Sequence, residues 1–193
     1  MTQPARKPSD AVALLFSIPE HKRNHEVLDG VLVERASPGS DHGFAQAKTV
    51  EACVPFNRRS GGDPPNPGGW WIMTEVEILL GASSIARPDL SGWRRERAPT
   101  RPQDNPIELR PDWVCEIISP STAARDRVAK LRLYQEQGIP HYWIVDPSDR
   151  TLTVFRNTDQ GYLVVLAAES EDKVRAEPFD AVELAVGDLF ENE

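Results

Sequence analysis

Three residues spread along the chain have the types that hydrolysis of a phosphate ester uses: Asp89, Glu116 and Lys130. Asp89 follows Pro88, close to a turn. Glu116 sits inside the run WVCEII, among apolar neighbours. A carboxylate in such a strand is costly unless it is paired or holds a cation. Strand alternation puts Trp113, Cys115 and Ile117 on one face and Val114, Glu116 and Ile118 on the other. Two carboxylates converging from neighbouring strands would make an oxygen site for a divalent cation such as magnesium. Such a cation would hold a phosphate oxygen and lower the pKa of a bound water. Lys130 lies on the helix that leaves the same strand, at the edge of the stripe Ala124, Val128, Leu131 and Tyr134. From there its ammonium could orient the water or stabilise the charge of a phosphorane-like transition state. Each residue also has an ordinary reading. Asp89 could be a turn residue or cap, Glu116 a core acid paired with an arginine, and Lys130 half of a helix-surface pair with Asp126.

The elements that would carry these residues follow from pattern and punctuation. Residues 1–20 read as a polar, proline-bearing arm with a short apolar helix, and 21–193 as one domain. HEVLDGVLVER is two short apolar runs joined by Asp29-Gly30, a dipeptide that favours a tight hairpin. From Asp41 to Val54 the repeat of Phe44, Ala47, Thr49–Val50 and Val54 predicts a helix capped by Asp41 and stopped by Pro55. A Gly/Pro-rich loop follows. Trp70–Leu80 reads as one strand, with a turn at Gly81. After a second, basic loop come the strand WVCEII, a helix capped by Ser121 or Thr122 and ended at Gly138, and the strand HYWIVD. That strand–helix–strand unit favours a parallel crossover. PSDR then turns into TLTVFR, and YLVVLAAE is a further strand.

Composition limits the classes. The 193 residues hold 22 Lys+Arg against 30 Asp+Glu, a net charge of −8. A chain of this length buries about 70% of the surface its unfolded form exposes, so it needs no staple. No apolar run approaches the ~18 residues of a membrane span, and the start lacks the apolar core of a secretion signal. Cys53 and Cys115 make no CxxC pair, which argues against a zinc ribbon or disulfide framework and suggests the cytoplasm. The acidic balance argues against strong non-specific attraction to nucleic acid.

Several pieces match a known pattern together: Pro88-Asp89-Leu90, Glu116-Ile117-Ile118-Ser119-Pro120-Ser121, Lys130 with Tyr134, Gly138-Ile139-Pro140, and Tyr142-Trp143-Ile144-Val145-Asp146-Pro147. Upstream, Glu26-Val27-Leu28-Asp29-Gly30 and His42-Gly43 add to it. Over about residues 25–156 the chain resembles the Uma-type family of restriction endonucleases, in the PD-(D/E)XK nuclease superfamily. The resemblance implies an α/β (α+β) restriction endonuclease-like core, a mixed central sheet with flanking helices. It implies Asp89 and Glu116 as ligands of magnesium, or manganese in its place, with the backbone carbonyl of Ile117 completing the shell. The superfamily carries its lysine two residues after the second acid, where this chain has Ile118; in the Uma-type pattern the following helix supplies it, here as Lys130.

The remaining candidates are single residues. His42 could approach a phosphate or could be a polar residue at a helix start. Glu26 could be a third acid near the site, though a hairpin-edge residue is the better reading, and Glu75 and Glu77 read as one solvated strand face. Cys115 reads as a buried small hydrophobe rather than a nucleophile, and Trp70-Trp71 could stack bases, though aromatic core or a dimer contact is the more frequent use. Arg58, Arg59, Arg94, Arg95, Arg97 and Arg101, in the two loops around Asp89, are the expected phosphate contacts. Cutting both strands of a DNA duplex is most simply done by a homodimer. Two other readings stay open: a non-catalytic nucleic-acid-binding or scaffold protein of the same fold, and a metal-dependent phosphohydrolase acting on small molecules.

Overall fold

Asp29 and Gly30 both take positive φ, 50° and 77°, and turn β1 (His25–Leu28) back onto β2 (Val31–Glu34). The computed structural model describes residues 10–58, 67–119 and 124–191. Within it the hairpin belongs to a four-stranded antiparallel sheet in the order β2-β1-β5-β4, with β4 at Ile78–Leu80 and β5 at Ser84–Ala86. Helix α1 (Asp10–Phe16) closes one side of this sheet, setting Ala11 and Leu15 against Val27 and Ile85.

The larger sheet has six strands. Its members are β3 (Trp70–Thr74), β6 (Leu90–Arg94), β7 (Trp113–Ile117), β8 (His141–Asp146), β9 (Thr151–Thr158) and β10 (Gly161–Glu169). They run in the order β10-β9-β8-β7-β6-β3. The β7–β8 pair is parallel and the other neighbours are antiparallel, so the sheet is mixed. The expected crossover is therefore present, with the helix between WVCEII and HYWIVD. A two-stranded piece, β11 (Lys173–Val174) with β12 (Leu184–Ala185), follows.

The span Trp70–Leu80 is two strands rather than one. Glu75, at φ 57°, breaks the run, and the halves β3 and β4 join different sheets. The return path breaks at the same level: β5 is in the small sheet, β6 in the large one, and Arg87-Pro88-Asp89 is the passage between them. A hydrogen bond from the Glu75 N–H to the Asp89 carbonyl, 3.2 Å, ties the two passages together.

Helix α2 (Ser40–Cys53) forms where the repeat predicts it, but its buried face is Ala45, Thr49 and Cys53. Phe44, Ala47, Val50 and Val54 flank that face or reach solvent. Small residues let the helix come close to the sheet, and Thr49 satisfies its hydroxyl on the Ala45 carbonyl at 2.7 Å. The cap is Gly39 without a side-chain bond; Asp41 sits in the first turn instead, where its charge favours the helix dipole. Helix α3 is π-helical over Arg125–Lys130 and α-helical over Leu131–Glu136, and the chain leaves it at Gly138, φ 67°. The expected caps Ser121 and Thr122 lie outside the described residues.

The alternation along β7 divides the core. Trp113, Cys115 and Ile117 pack with α2 and the C-terminal segment; Val114 and Ile118 pack with Leu133 and Tyr134 of α3 and with Ile78, Leu80 and Ala86 of the small sheet. On the first face Phe179 meets Trp113 and Trp70 edge-on at 4.8 and 5.0 Å. Gly92 of β6 lies between Trp70 and Trp113: a Cβ there would meet Trp113 Cε3 at 3.1 Å and Trp70 Cε3 at 3.2 Å. Because Phe179 locks both indoles, they cannot yield. Gly92→Ala is expected to lower stability by about 1–3 kcal/mol. Urea unfolding checks this through a lower midpoint at an unchanged slope.

Candidate active site

The two strand passages and the helix after β7 deliver their polar side chains to one cavity of about 320 Å3. Its walls include Glu26, Arg35, His42, Glu75, Arg87, Asp89, Glu116, Ile117 and Lys130. Four of these groups are nearly sealed from water: Glu26 is 1%, Glu116 2%, Asp89 3% and Lys130 3% exposed. Asp89, Glu116 and Lys130 thus share a pocket although they come from three elements.

Asp89 lines up with the start of β6 and reaches across to β7. Its Oδ2 accepts the Ile117 N–H at 2.6 Å. In a strand a residue's N–H and C=O point the same way, so the Ile117 carbonyl is directed to the Asp89 side as well. Asp89 Oδ1 faces His42 Nε2 at 3.4 Å and Arg35 Nη2 at 3.5 Å. Burial alone would raise the Asp89 pKa. The hydrogen bond and charge of His42, the charge of Lys130 and the Ile117 N–H outweigh burial and hold it below its ordinary value. His42 shows the complementary balance: burial lowers its pKa, but the bond and charge of Asp89, with Glu75 behind, leave it raised.

Glu116 projects from β7 on the face that Val114 and Ile118 share, as alternation requires. Its Oε1 accepts Lys130 Nζ at 2.9 Å and the Tyr134 hydroxyl at 2.5 Å. Burial and the Glu116 charge push the Tyr134 pKa well up, so the phenol stays a donor. A buried lysine is thus a partner of Glu116. Lys130 is not a helix-surface residue; it turns inward to Glu116 and to Glu26 Oε1, 3.1 Å away. The side chain of Asp126 lies outside the described residues.

Glu26 and Glu75 depart from their sequence readings. β1 lies between β2 and β5, so Glu26 is interior, and its Oε1 also accepts the Arg87 N–H at 2.7 Å. Its Oε2 is buried without a hydrogen-bond partner. Its cues in the sequence are an acid within the run HEVL and its place in the Glu26-Val27-Leu28-Asp29-Gly30 match. Glu75 is in the passage between sheets rather than on a solvated strand face, and receives Arg35 Nη1 at 2.6 Å and Gln46 Nε2 at 3.3 Å. Ligand atoms of His42, Glu75 and Asp89 lie within 4.8 Å of one another. Burial works against the Arg35 charge, but the bond and charge of Glu75, with Glu26 and Asp89 beyond, keep its pKa raised.

The expected phosphate-contact arginines do not join this cavity. β3 pairs Trp70 with Arg94 and Thr74 with Leu90, so Arg94 ends β6 at the edge away from Asp89. Five residues of strand make that about 17 Å. Arg94 lies over Trp70 at 4.6 Å, and Arg95 over Trp71 at 3.4 Å. The Arg58 carbonyl accepts the Gly69 N–H at 2.8 Å, which holds it to the same end. Arg59 lies outside the described residues. Arg97 bonds Asp112 at 2.9 Å, while Arg101 shares a cleft with Glu75, Glu77 and Arg87. Burial pushes the thiols of Cys53 and Cys115 up, so neither is poised as a nucleophile.

Three comparisons extend this geometry. The family described as "Uma2: Putative restriction endonuclease" matches residues 12–187. The crystal structure of a putative nuclease belonging to DUF820 from Anabaena variabilis superposes with a TM-score of 0.73, at 22% identity, over 94% of this chain and 97% of that one. That likeness speaks for the fold. No curated protein matches the chain.

The His42–Asp89 contact has a pH signature in the metal-free protein. His42 is raised above 6.5, so its stabilisation is complete below pH 6.5 and fades as pH rises through the folded pKa. Asp89 is held below 3.8, so its part is complete above that value and fades as pH falls through the lower folded pKa. His42→Gln is therefore expected to reduce stability most between those two values and least in alkaline solution. Urea unfolding of both proteins at each pH measures the difference.

Proposed function

Because the chain belongs to the Uma2 family, we propose that it is a divalent-cation-dependent endonuclease that hydrolyses phosphodiester bonds of DNA, as a cytoplasmic homodimer. In this reading Asp89 and Glu116 hold the cation, the Ile117 carbonyl completes its shell, and Lys130 stands beside the reacting phosphate. Magnesium is the expected ion, with manganese able to replace it. The observation that carries the reading is the shared cavity of both carboxylates, Ile117 and the buried ammonium.

The donor set fits a hard cation. Carboxylate and carbonyl oxygens are its preferred ligands. Asp89 Oδ1 meets its neighbours only through long contacts of 3.4 and 3.5 Å, and so keeps capacity for another partner. When bound, the cation supplies polarisation of a phosphate oxygen and a water of lowered pKa. The chain's own groups do the rest. The Ile117 N–H fixes the Asp89 carboxylate before any substrate arrives. Lys130, held against Glu116 and itself nearly sealed from solvent, offers fixed positive charge where negative charge grows on the phosphate. Arg35, Arg87 and His42 line the same cavity and are suited to orient phosphate oxygens. Arg58, Arg94 and Arg95 would meet backbone phosphates farther along the duplex.

The net charge of −8 makes such binding weak and salt-sensitive. A two-fold dimer would bring one cavity to each strand. No helix of the described residues is long and apolar enough to cross a membrane. Two buried free cysteines suit a reducing compartment.

Calorimetry with magnesium or manganese, followed by plasmid nicking, tests the reading. The wild type is expected to bind the ion and nick plasmid. Asp89→Asn, which keeps an acceptor for the Ile117 N–H, is expected to lose at least about a hundredfold of the nicking rate. No metal binding at all would leave a non-catalytic protein of the same fold. Hydrolysis of nucleotides without plasmid would point to a small-molecule phosphohydrolase.

A further inference from the structure

Lys130 has a long, flexible side chain on a helix whose first turns are π-helical, a wider winding than the α-helix it continues into. Two carboxylates from two different sheets hold its ammonium. Glu116 comes from β7 of the six-stranded sheet, 2.9 Å from Nζ, and Glu26 from β1 of the four-stranded sheet, 3.1 Å from Nζ. The same Glu26 oxygen accepts the Arg87 N–H at 2.7 Å. Arg87 begins the passage that presents Asp89. One buried oxygen therefore joins the lysine to the segment carrying the first acid.

We infer that Glu26 is a positioning residue of this site, setting the Lys130 ammonium relative to Asp89 through its shared oxygen Oε1. The inference rests on the endonuclease reading of the cavity and adds to it a residue outside the acid pair and the lysine. A structural acid alone does not account for the geometry. If Glu26 only filled the core, an apolar side chain would serve without the cost of sealing a carboxylate from water. The reach of Glu26 is to the lysine and to the backbone of Arg87. A residue in that place shapes the reaction by orienting another group, as outer partners of catalytic sites do.

The isosteric Glu26→Gln keeps an acceptor for the Arg87 N–H and removes the charge that holds the ammonium. Three measurements on the full-length protein separate the outcomes. Manganese affinity by calorimetry is expected to stay within about twofold of wild type, and kcat for plasmid nicking to fall about 10–100-fold with KM little changed. Acetylation of Lys130 by acetic anhydride, read by mass spectrometry, is expected to rise several-fold as the side chain swings free. Removing one partner of a buried charge lowers stability, so all three measurements are made well below the melting temperature of the variant, where it is fully folded, and Glu26→Asp, with its charge but a shorter reach, is expected to recover part of the rate. Unchanged kcat with unchanged Lys130 labelling would overturn the inference. So would a tenfold loss of manganese affinity, which would make Glu26 a ligand. Should wild type and Asp89→Asn both fail to nick plasmid, the endonuclease reading fails, while the labelling result still decides whether Glu26 sets Lys130.

Discussion

The sealed ammonium of Lys130 is the constraint on which the site depends. A lysine charge removed from water is tolerated only with close compensating partners. Here Glu116 and Glu26 supply them from opposite sheets, and Tyr134 gives Glu116 a second donor. Meeting that requirement dictates much else. The small sheet must sit against the large one, α3 must turn its lysine inward, and β7 must carry an acid on an otherwise apolar face. Taking away any one partner leaves a buried charge exposed to a low-dielectric interior, so the cluster has to form as a unit.

The two sheets are joined by the chain itself rather than by packing alone. β3 passes into β4 at Glu75, and β5 returns into β6 through Arg87-Pro88-Asp89. Both passages lie at the cavity, and both carry an acid there. Strand hydrogen bonding stops at such a passage, which frees backbone groups and lets side chains leave the sheet plane. Asp89 uses this freedom to reach the Ile117 N–H, and Glu75 to meet Arg35. The polar cavity is thus built where regular structure is interrupted, between walls that are regular.

Local chemistry made several of these features readable in advance. Asp29-Gly30 fixes its hairpin because both positions accept positive φ. WVCEII and HYWIVD announce buried parallel strands by their apolar content, and Glu116 stands out against that background. Other features depend on contacts far apart in sequence, which local pattern does not encode. The strand break at Glu75 looks like continuous β pattern until β4 and β5 are seen pairing in another sheet. Glu26 reads as an edge residue because nothing near it reveals that β5 will cover β1. The face of α2 is legible only in part for a related reason: the repeat marks Thr49, but large residues suggest burial where close approach to the sheet selects Ala45 and Cys53 beside it. Periodicity finds a helix more readily than it finds which side faces the core.

Arg94 and Arg95 lie over the indoles of Trp70 and Trp71 at the opposite end of β6 from Asp89. Side chains pinned in this way have little rotational freedom left to lose when they meet an anion. The separation of about 17 Å along β6 corresponds to about five base-pair steps of B-form duplex. A polyanion touching both ends would be anchored at one point and strained at another. Grip and scission would then be matters of different base pairs, and changes at the indole shelf would alter how firmly a duplex is held without touching the groups that break it.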